Sequence, residues 1–94
     1  MAVHFGDRLS EACKQKRSVV CVGLDPRWQS LPDGIKVDID AGDMDAVAAA
    51  TQCYCKEVVD AVADYAPIVK PQAAFFEQLG PAGMKALAAV IQHY

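Results

Sequence analysis

The run Val19-Val20-Cys21-Val22-Gly23-Leu24-Asp25-Pro26 decides how the rest of the chain is interpreted. It is apolar and rich in β-branched residues, which is typical of a strand buried on both faces of a parallel α/β sheet. Because side chains alternate along a strand, its small and polar members share one face and its aliphatic members the other. The first set is Cys21, Gly23 and Asp25, and the second is Val20, Val22 and Leu24. Asp25 then stands at the strand's exit, where parallel α/β sheets bind their ligands.

A second short strand, Ile68-Val69-Lys70-Pro71-Gln72, places Lys70 and Gln72 on one side. Between the two strands, Asp43 is a good N-cap for a helix from 44 to about 65. A helix between two strands predicts a right-handed crossover with parallel, adjacent strands. We therefore expect Asp25 and Lys70 to leave the sheet at the same rim.

The remaining segments predict helices around this unit. One runs from residue 3 to about 16, a short helical turn covers 73–79, and a last helix begins at Pro81. The predicted buried faces are Phe5, Leu9, Ala12 and Cys13 in the first helix, Met44, Val47, Thr51, Tyr54, Val58, Val62 and Tyr65 in the crossover helix, and Met84, Leu87, Ala88 and Ile91 in the last. The loop over 26–42 is longer than most strand-to-helix loops, which have ~2–6 residues. It is either a functional segment or a solvated insertion.

Composition excludes several classes of protein. The chain has 94 residues, so it forms at most one domain, and a hydrophobic content of 53% excludes disorder. Nine basic against twelve acidic residues give a net charge of −3, which argues against binding to nucleic acid or to a membrane surface. No apolar run approaches the ~20 residues of a membrane span, and Met1 to Ser10 does not have the pattern of a signal peptide. We expect a cytoplasmic protein.

The four cysteines do not predict a metal site. Cys53 and Cys55 lie two positions apart on a predicted helix and so point away from each other, and no C-x-x-C occurs. Cys21 falls in the predicted strand and Cys13 in the first helix. We expect all four to be small buried residues in the reduced state.

Two parallel strands do not make a stable sheet with both faces covered. A closed parallel barrel needs eight strands and ~250 residues. The pattern therefore predicts two consecutive βα units of a larger parallel fold, most of which is absent from these 94 residues. The missing strands would belong to another segment or to another chain.

Four stretches carry a resemblance to a known family. They are Phe5-Gly6-Asp7-Arg8-Leu9, Cys21-Val22-Gly23-Leu24-Asp25-Pro26, Val69-Lys70-Pro71-Gln72-Ala73-Ala74-Phe75-Phe76-Glu77 and Leu79-Gly80-Pro81-Ala82-Gly83. In order and spacing they resemble the opening of orotidine 5′-phosphate decarboxylase, and most closely the bacterial branch with longer loops, often called type 2. The resemblance implies a TIM (β/α)8 barrel, of which residues 1–94 would be the first two βα units and the N-terminal part of a single domain. It also implies a homodimeric enzyme that converts orotidine 5′-monophosphate to UMP and CO₂ without metal or organic cofactor.

The resemblance also implies roles for single residues. Asp25 would hydrogen-bond the substrate ribose. Lys70 would contact the ribose hydroxyls and act as a fixed charge in an alternating Lys/Asp network, not as the proton donor. Gln72 shares the inward face and is a further binding candidate. From the residues alone, Asp25 could be only a turn former before Pro26, Lys70 a solvated rim lysine, and Gln72 a residue that satisfies backbone groups.

The family's third-strand signature, Asp-Ala-Lys-Arg-Gly-Asp, does not occur in these 94 residues. It supplies the proton-donating lysine, so we expect the chain alone to lack decarboxylase activity. The alternatives are a non-catalytic small α/β module that folds by pairing with another chain, and a different phosphate-binding TIM barrel. A following strand with Asp-x-Lys-x-x-Asp would favour the decarboxylase.

Overall fold

The computed structural model describes residues 4–94. Its helices are α1 (Phe5–Lys16), α2 (Met44–Val62), α3 (Ala73–Glu77) and α4 (Gly80–His93), and its strands are β1 (Cys21–Leu24) and β2 (Ile68–Pro71). The predicted start of the first helix at residue 3 lies outside the described residues. Within them, no helix is long and apolar enough to cross a membrane.

The parallel, adjacent strands predicted from the sequence are confirmed, and the right-handedness of the crossover stays a prediction. β1 and β2 are parallel neighbours, with Cys21 opposite Ile68 and Leu24 opposite Pro71. α2 connects them, and the Asp43 carboxylate accepts the Ala46 N–H at 3.2 Å, as an N-cap should. α2 ends at Val62, three residues before the predicted end, and Tyr65 is exposed.

The core lies on one side of the sheet only. α2 and α4 cover the face that carries Leu24, with Val69 packed against the same cluster. The buried members of the cluster are Leu24, Ala48, Cys55, Val59, Phe76, Ala86 and Val90. The opposite face is open, so the prediction of a strand buried on both faces is wrong for this chain. Two strands and the helices on one side of them leave Cys21 and Gly23 exposed.

The first residues of the predicted strand also differ from expectation. β1 begins at Cys21, and Val19 and Val20 are 88% and 54% exposed. β2 begins opposite Cys21 at Ile68, so Val19 and Val20 precede the paired part of the strand. β-branched residues at these positions therefore do not extend the ladder.

The predicted buried face of α4 is wrong in detail. Met84 and Ile91 are 44% and 60% exposed, whereas the buried residues of α4 are Gly83, Ala86 and Val90. The reason is the close approach of α3. A Cβ on Gly83 would clash with the Phe76 carbonyl. The side of α4 with the smallest residues therefore faces the interior.

The predicted face of α2 is correct at Val47 and Thr51, which are buried, but Met44 is 41% exposed. The residues of α2 that belong to the buried core cluster are Ala48, Cys55 and Val59, and Tyr54 and Val58 of the predicted face pack against that cluster while partly buried.

α1 is attached to the unit through polar contacts. No residue of α1 is buried. The Lys16 ammonium donates to the carbonyls of Ala63 and Ala66, just beyond the C-terminal end of α2. The Tyr94 hydroxyl donates to the Ala66 carbonyl at 2.6 Å. A cation at these carbonyls is favoured by the helix dipole.

The loop between β1 and α2 is partly structured. It contains 3-10 turns at Trp28–Ser30 and Asp33–Ile35, and Leu31 is buried. The Lys36 ammonium lies over the Trp28 ring, 5.7 Å from its centroid, and donates to the Trp28 carbonyl at 3.3 Å. Trp28 is therefore a packing residue of the loop.

Candidate active site at the strand exits

Asp25 and Lys70 lie on the same open face of the sheet. Gly23 is paired with Lys70, and Asp25 follows Gly23 by two positions, so all three share one side. A Cβ placed on Gly23 would lie 3.8 Å from Asp25 Oδ2. The Asp25 carboxylate therefore lies close to Gly23, the ladder partner of Lys70. The common rim predicted for Asp25 and Lys70 is confirmed, while their contact with a ligand stays a prediction.

The two charges are adjacent but not joined as an ion pair. Among residues 4–94, the pairs within 4.0 Å are Lys36 with Asp33 and His93 with Asp60. Asp25 and Lys70 are both exposed. A carboxylate acceptor and an ammonium donor on one face suit a polar ligand laid across the two strand ends.

Gln72 extends the contact between the two strand exits through its backbone. Its N–H donates to the Leu24 carbonyl at 2.9 Å, and its carbonyl accepts the Phe75 N–H at 3.2 Å. The side chain is exposed and does not cap α3. Both hydrogen bonds are made by the Gln72 main chain, so a role of its side chain, towards backbone groups or towards a ligand, stays a prediction.

A contact that the sequence analysis did not predict joins the two exits. The Arg27 guanidinium lies over the Phe75 ring, with Cζ 5.1 Å from the centroid. Arg27 follows β1 by three positions, and Phe75 belongs to the helix that follows β2. Neither periodicity nor motif spacing reveals such a pair, because it joins a loop residue and a helix residue that are distant in sequence.

Two clefts of the described residues lie away from these side chains. One, of about 480 Å³, is bounded by α1, α4 and the beginning of β2, including Phe5, Ile68 and Tyr94. Another, of about 450 Å³, lies between the segment before β1 and the end of α2, including Val20 and Tyr65. Asp25, Lys70 and Gln72 line neither cleft. In this chain the candidate site is thus an open surface.

The cysteines differ from the expectation that all are buried. Cys55 is buried, Cys13 is half-buried, and Cys21 and Cys53 are exposed. All four are free thiols. Burial raises the pKa of the Cys55 thiol to about 11, because the thiolate would lose its hydration. Within the described part of the chain, no cluster of three or more potential metal ligands occurs.

Comparison with known proteins gives this geometry its context. No protein-family model matches the sequence. Orotidine 5′-phosphate decarboxylase of Rhodopirellula baltica is 52% identical over 89 residues, which cover 95% of this chain and 30% of that protein. The chain is related to the orotidine 5′-phosphate decarboxylases.

Solved structures agree with this relationship. A Leishmania donovani OMP decarboxylase superimposes with a TM-score of 0.71 and 36% identity, over 97% of this chain and 29% of that one. The UMP synthase of the same organism gives a TM-score of 0.73 and 36% identity, over 98% of this chain and 16% of that one. The fold is therefore that of an incomplete TIM barrel. The chain spans about 30% of the length of the curated orotidine 5′-phosphate decarboxylases that it matches.

Proposed function

We propose that these residues form the amino-terminal part of an orotidine 5′-phosphate decarboxylase, which converts orotidine 5′-monophosphate to UMP and CO₂. The observation that carries the proposal is that Asp25 and Lys70 lie at the ends of two adjacent parallel strands, on the same open face of the sheet. It occurs in a segment that is 52% identical to a decarboxylase. Residues 1–94 would belong to a single TIM-barrel domain, completed by strands that cover the open face.

Asp25 and Lys70 have different roles in this proposal. Asp25 accepts a hydrogen bond from the substrate ribose, and Lys70 donates to the ribose hydroxyls. Lys70 also places a fixed positive charge beside acids contributed by the rest of the barrel. Gln72 is a further candidate for contact with the nucleotide.

The proposed mechanism is electrostatic. A pyrimidine carboxylate held beside an aspartate is destabilised, and this repulsion is relieved as CO₂ departs. A nearby ammonium stabilises the carbanion that remains and then protonates it. That proton donor would come from the rest of the barrel, and Lys70 would orient the network around it. The isolated chain is accordingly expected to be inactive.

A hybrid enzyme tests the proposal. In the Rhodopirellula baltica decarboxylase, the 89 matching residues are replaced by those of this chain. We expect this hybrid enzyme to decarboxylate orotidine 5′-monophosphate with a kcat/KM within about tenfold of the parent enzyme, a cost of about 1.4 kcal/mol. A hybrid enzyme that melts cooperatively but does not release CO₂ would contradict the proposal.

The ribose contact is tested by binding. Asp25→Ala in the hybrid enzyme should weaken UMP binding by ~1.5–3 kcal/mol, since a hydrogen bond to a charged group is lost. Asp33→Ala is the matched control, because Asp33 is an exposed acid of the same loop and its ion pair with Lys36 spans 3.9 Å. Calorimetric titration with UMP measures both variants. An affinity unchanged by Asp25→Ala removes Asp25 from the site.

We also propose that the full-length protein is a cytoplasmic homodimer that binds neither nucleic acid nor membranes. The family resemblance supports the dimer, and the net charge of −3 supports the absence of polyanionic partners. Sedimentation of the full-length protein at micromolar concentration tests the dimer, and a monomer would exclude it.

A further inference from the structure

The contact between Arg27 and Phe75 bridges the two segments that carry the candidate site residues. Arg27 lies two positions after Asp25, and Phe75 lies five positions after Lys70. Their separation of 5.1 Å from Cζ to the ring centroid is within the range of a cation–π contact. Among residues 4–94, no carboxylate lies within 4.0 Å of Arg27. The aromatic ring is therefore the contact that the structure gives this guanidinium.

The backbone on both sides of the contact is fixed. Pro26 is buried, and the Arg27 carbonyl accepts the Ser30 N–H at 2.9 Å. In the segment that follows β2, the Phe75 N–H donates to the Gln72 carbonyl. The Gln72 N–H in turn donates to the Leu24 carbonyl at 2.9 Å, beside Asp25. Phe75 is thus linked through two backbone hydrogen bonds to the residue before Asp25, and Arg27 follows Asp25 by two positions.

We propose that Arg27 and Phe75 form a clasp that sets the distance between Asp25 and Lys70, and that Arg27 is a positioning residue for the reaction. The inference rests on the proposed function. Lys70 is held by its pairing with Gly23 in the ladder, so the clasp acts on Asp25, which lies beyond the ladder. At this level the Gln72 N–H donates to the Leu24 carbonyl, and the clasp adds a side-chain contact between the same two segments.

The hybrid enzyme tests the clasp with four variants. Arg27→Met keeps the aliphatic stem and removes the cation, while Arg27→Lys restores a cation that can lie over the ring. Phe75→Leu removes the ring, and Phe75→Tyr keeps it. Lys36→Met is the matched control, because it removes a cation–π contact with Trp28 that lies within the loop and joins no strand exits.

We expect Arg27→Met and Phe75→Leu each to lower kcat/KM by about tenfold. A tenfold loss lies between the severalfold change in an equilibrium constant that an exposed cation–π contact contributes and the ~100-fold loss of rate that a 1 Å misplacement of reacting groups causes. The loss should fall mainly on kcat, and the double variant should be no worse than either single variant. Arg27→Lys, Phe75→Tyr and Lys36→Met should retain activity within about twofold, with unchanged melting temperatures.

A normal kcat/KM for Arg27→Met would overturn the clasp, and so would a loss of kcat/KM for Lys36→Met equal to that for Arg27→Met. A further loss of kcat/KM when Phe75→Leu is added to Arg27→Met would also overturn it, because this would indicate that Arg27 contacts the substrate directly. If the hybrid enzyme without further substitutions is inactive, the proposed function fails. Amide hydrogen exchange then tests whether the contact of Arg27 with Phe75 holds the two strand exits together. Arg27→Met should then speed exchange of the Gln72 amide about tenfold and leave the Ala46 amide unchanged, since the latter is capped by Asp43. Unchanged exchange at Gln72 would refute it.

Discussion

Gly83 determines how closely α3 and α4 pack. A Cβ at this position would clash with the Phe76 carbonyl and lie 2.7 Å from Leu79 Cβ. The Phe76 carbonyl belongs to the backbone, so the clash cannot be relieved by a rotamer change. Phe76 itself is fully buried in the core, which fixes α3 from the other side.

We therefore predict that Gly83→Ala destabilises the hybrid enzyme by about 2 kcal/mol, within the usual cost of overpacking. Each kcal/mol lowers the melting temperature of a large domain by ~2–4 °C, so calorimetry should show a fall of about 5 °C. Gly34→Ala is the control, because a Cβ there meets nothing within 4 Å. Equal melting temperatures for the two variants would contradict the close packing.

At the scale of elements, α2 orders the βαβ unit and depends on its N-cap. The Asp43 carboxylate accepts the Ala46 N–H at 3.2 Å, and Asp45 adds a second negative charge in the first turn. Both charges are favoured by the helix dipole, but only Asp43 satisfies a backbone donor.

Asp43→Ala should destabilise the hybrid enzyme by ~1 kcal/mol, the usual cost of losing a capping side chain. Asp43→Asn should lower the free energy of unfolding much less, since asparagine caps a helix almost as well as aspartate. Asp45→Ala controls for the loss of charge alone. Urea unfolding followed by circular dichroism ranks the three variants, and a larger effect for Asp45→Ala than for Asp43→Ala would show that the cap does not hold α2.

The elements also show what the sequence can and cannot predict. The parallel crossover and the common face of Asp25 and Lys70 follow from alternation and from the order of elements, and both are present. The buried side of α4 was not predictable from hydrophobic periodicity, because it is made of Gly83 and Ala86 beside Val90. Small residues give a weak hydrophobic signal, and their burial depends on a neighbouring helix that periodicity does not describe. The contact of Arg27 with Phe75 was not predicted either, because periodicity does not describe contacts between segments that are distant in sequence.

At the scale of the whole molecule, one layer of helices covers one face of a two-stranded sheet. The open face carries Cys21 and Gly23 on β1 and Lys70 on β2. In a closed barrel such positions point into the interior, which side chains fill in layers. Cys21 should therefore be exposed in the 94-residue chain and buried when the other strands complete the barrel.

We predict that iodoacetamide at pH 8 modifies Cys21 in the 94-residue chain and not in the hybrid enzyme. Cys53 should be modified in both, because it is exposed on the outer side of α2. Cys55 should be modified in neither, because it is buried and its pKa of about 11 keeps it a thiol at that pH. Peptide mass spectrometry reads all three positions at once. Equal modification of Cys21 in both proteins would contradict an inward-facing position.

The central claim is that Lys70, beside Asp25 at the strand exits, places a charge that the decarboxylation requires. Lys70→Ala in the hybrid enzyme tests it most directly. Removing the ammonium leaves neighbouring acids unpaired and misplaces the proton donor, and both effects act mainly in the transition state. We predict that kcat/KM falls by at least ~100-fold, about 2.7 kcal/mol. Lys70→Arg should not restore it, because a planar guanidinium does not replace a compact ammonium.

The matched control is Lys85→Ala, which removes an exposed lysine from α4 and should leave kcat/KM unchanged. Melting temperatures of the variants show that folding is intact. The deciding measurement is kcat/KM for orotidine 5′-monophosphate in the hybrid enzyme that carries Lys70→Ala. A loss of ~100-fold or more with an unchanged melting temperature is the predicted result. A near-normal kcat/KM would make Lys70 a solvated residue of the rim and contradict the proposed site.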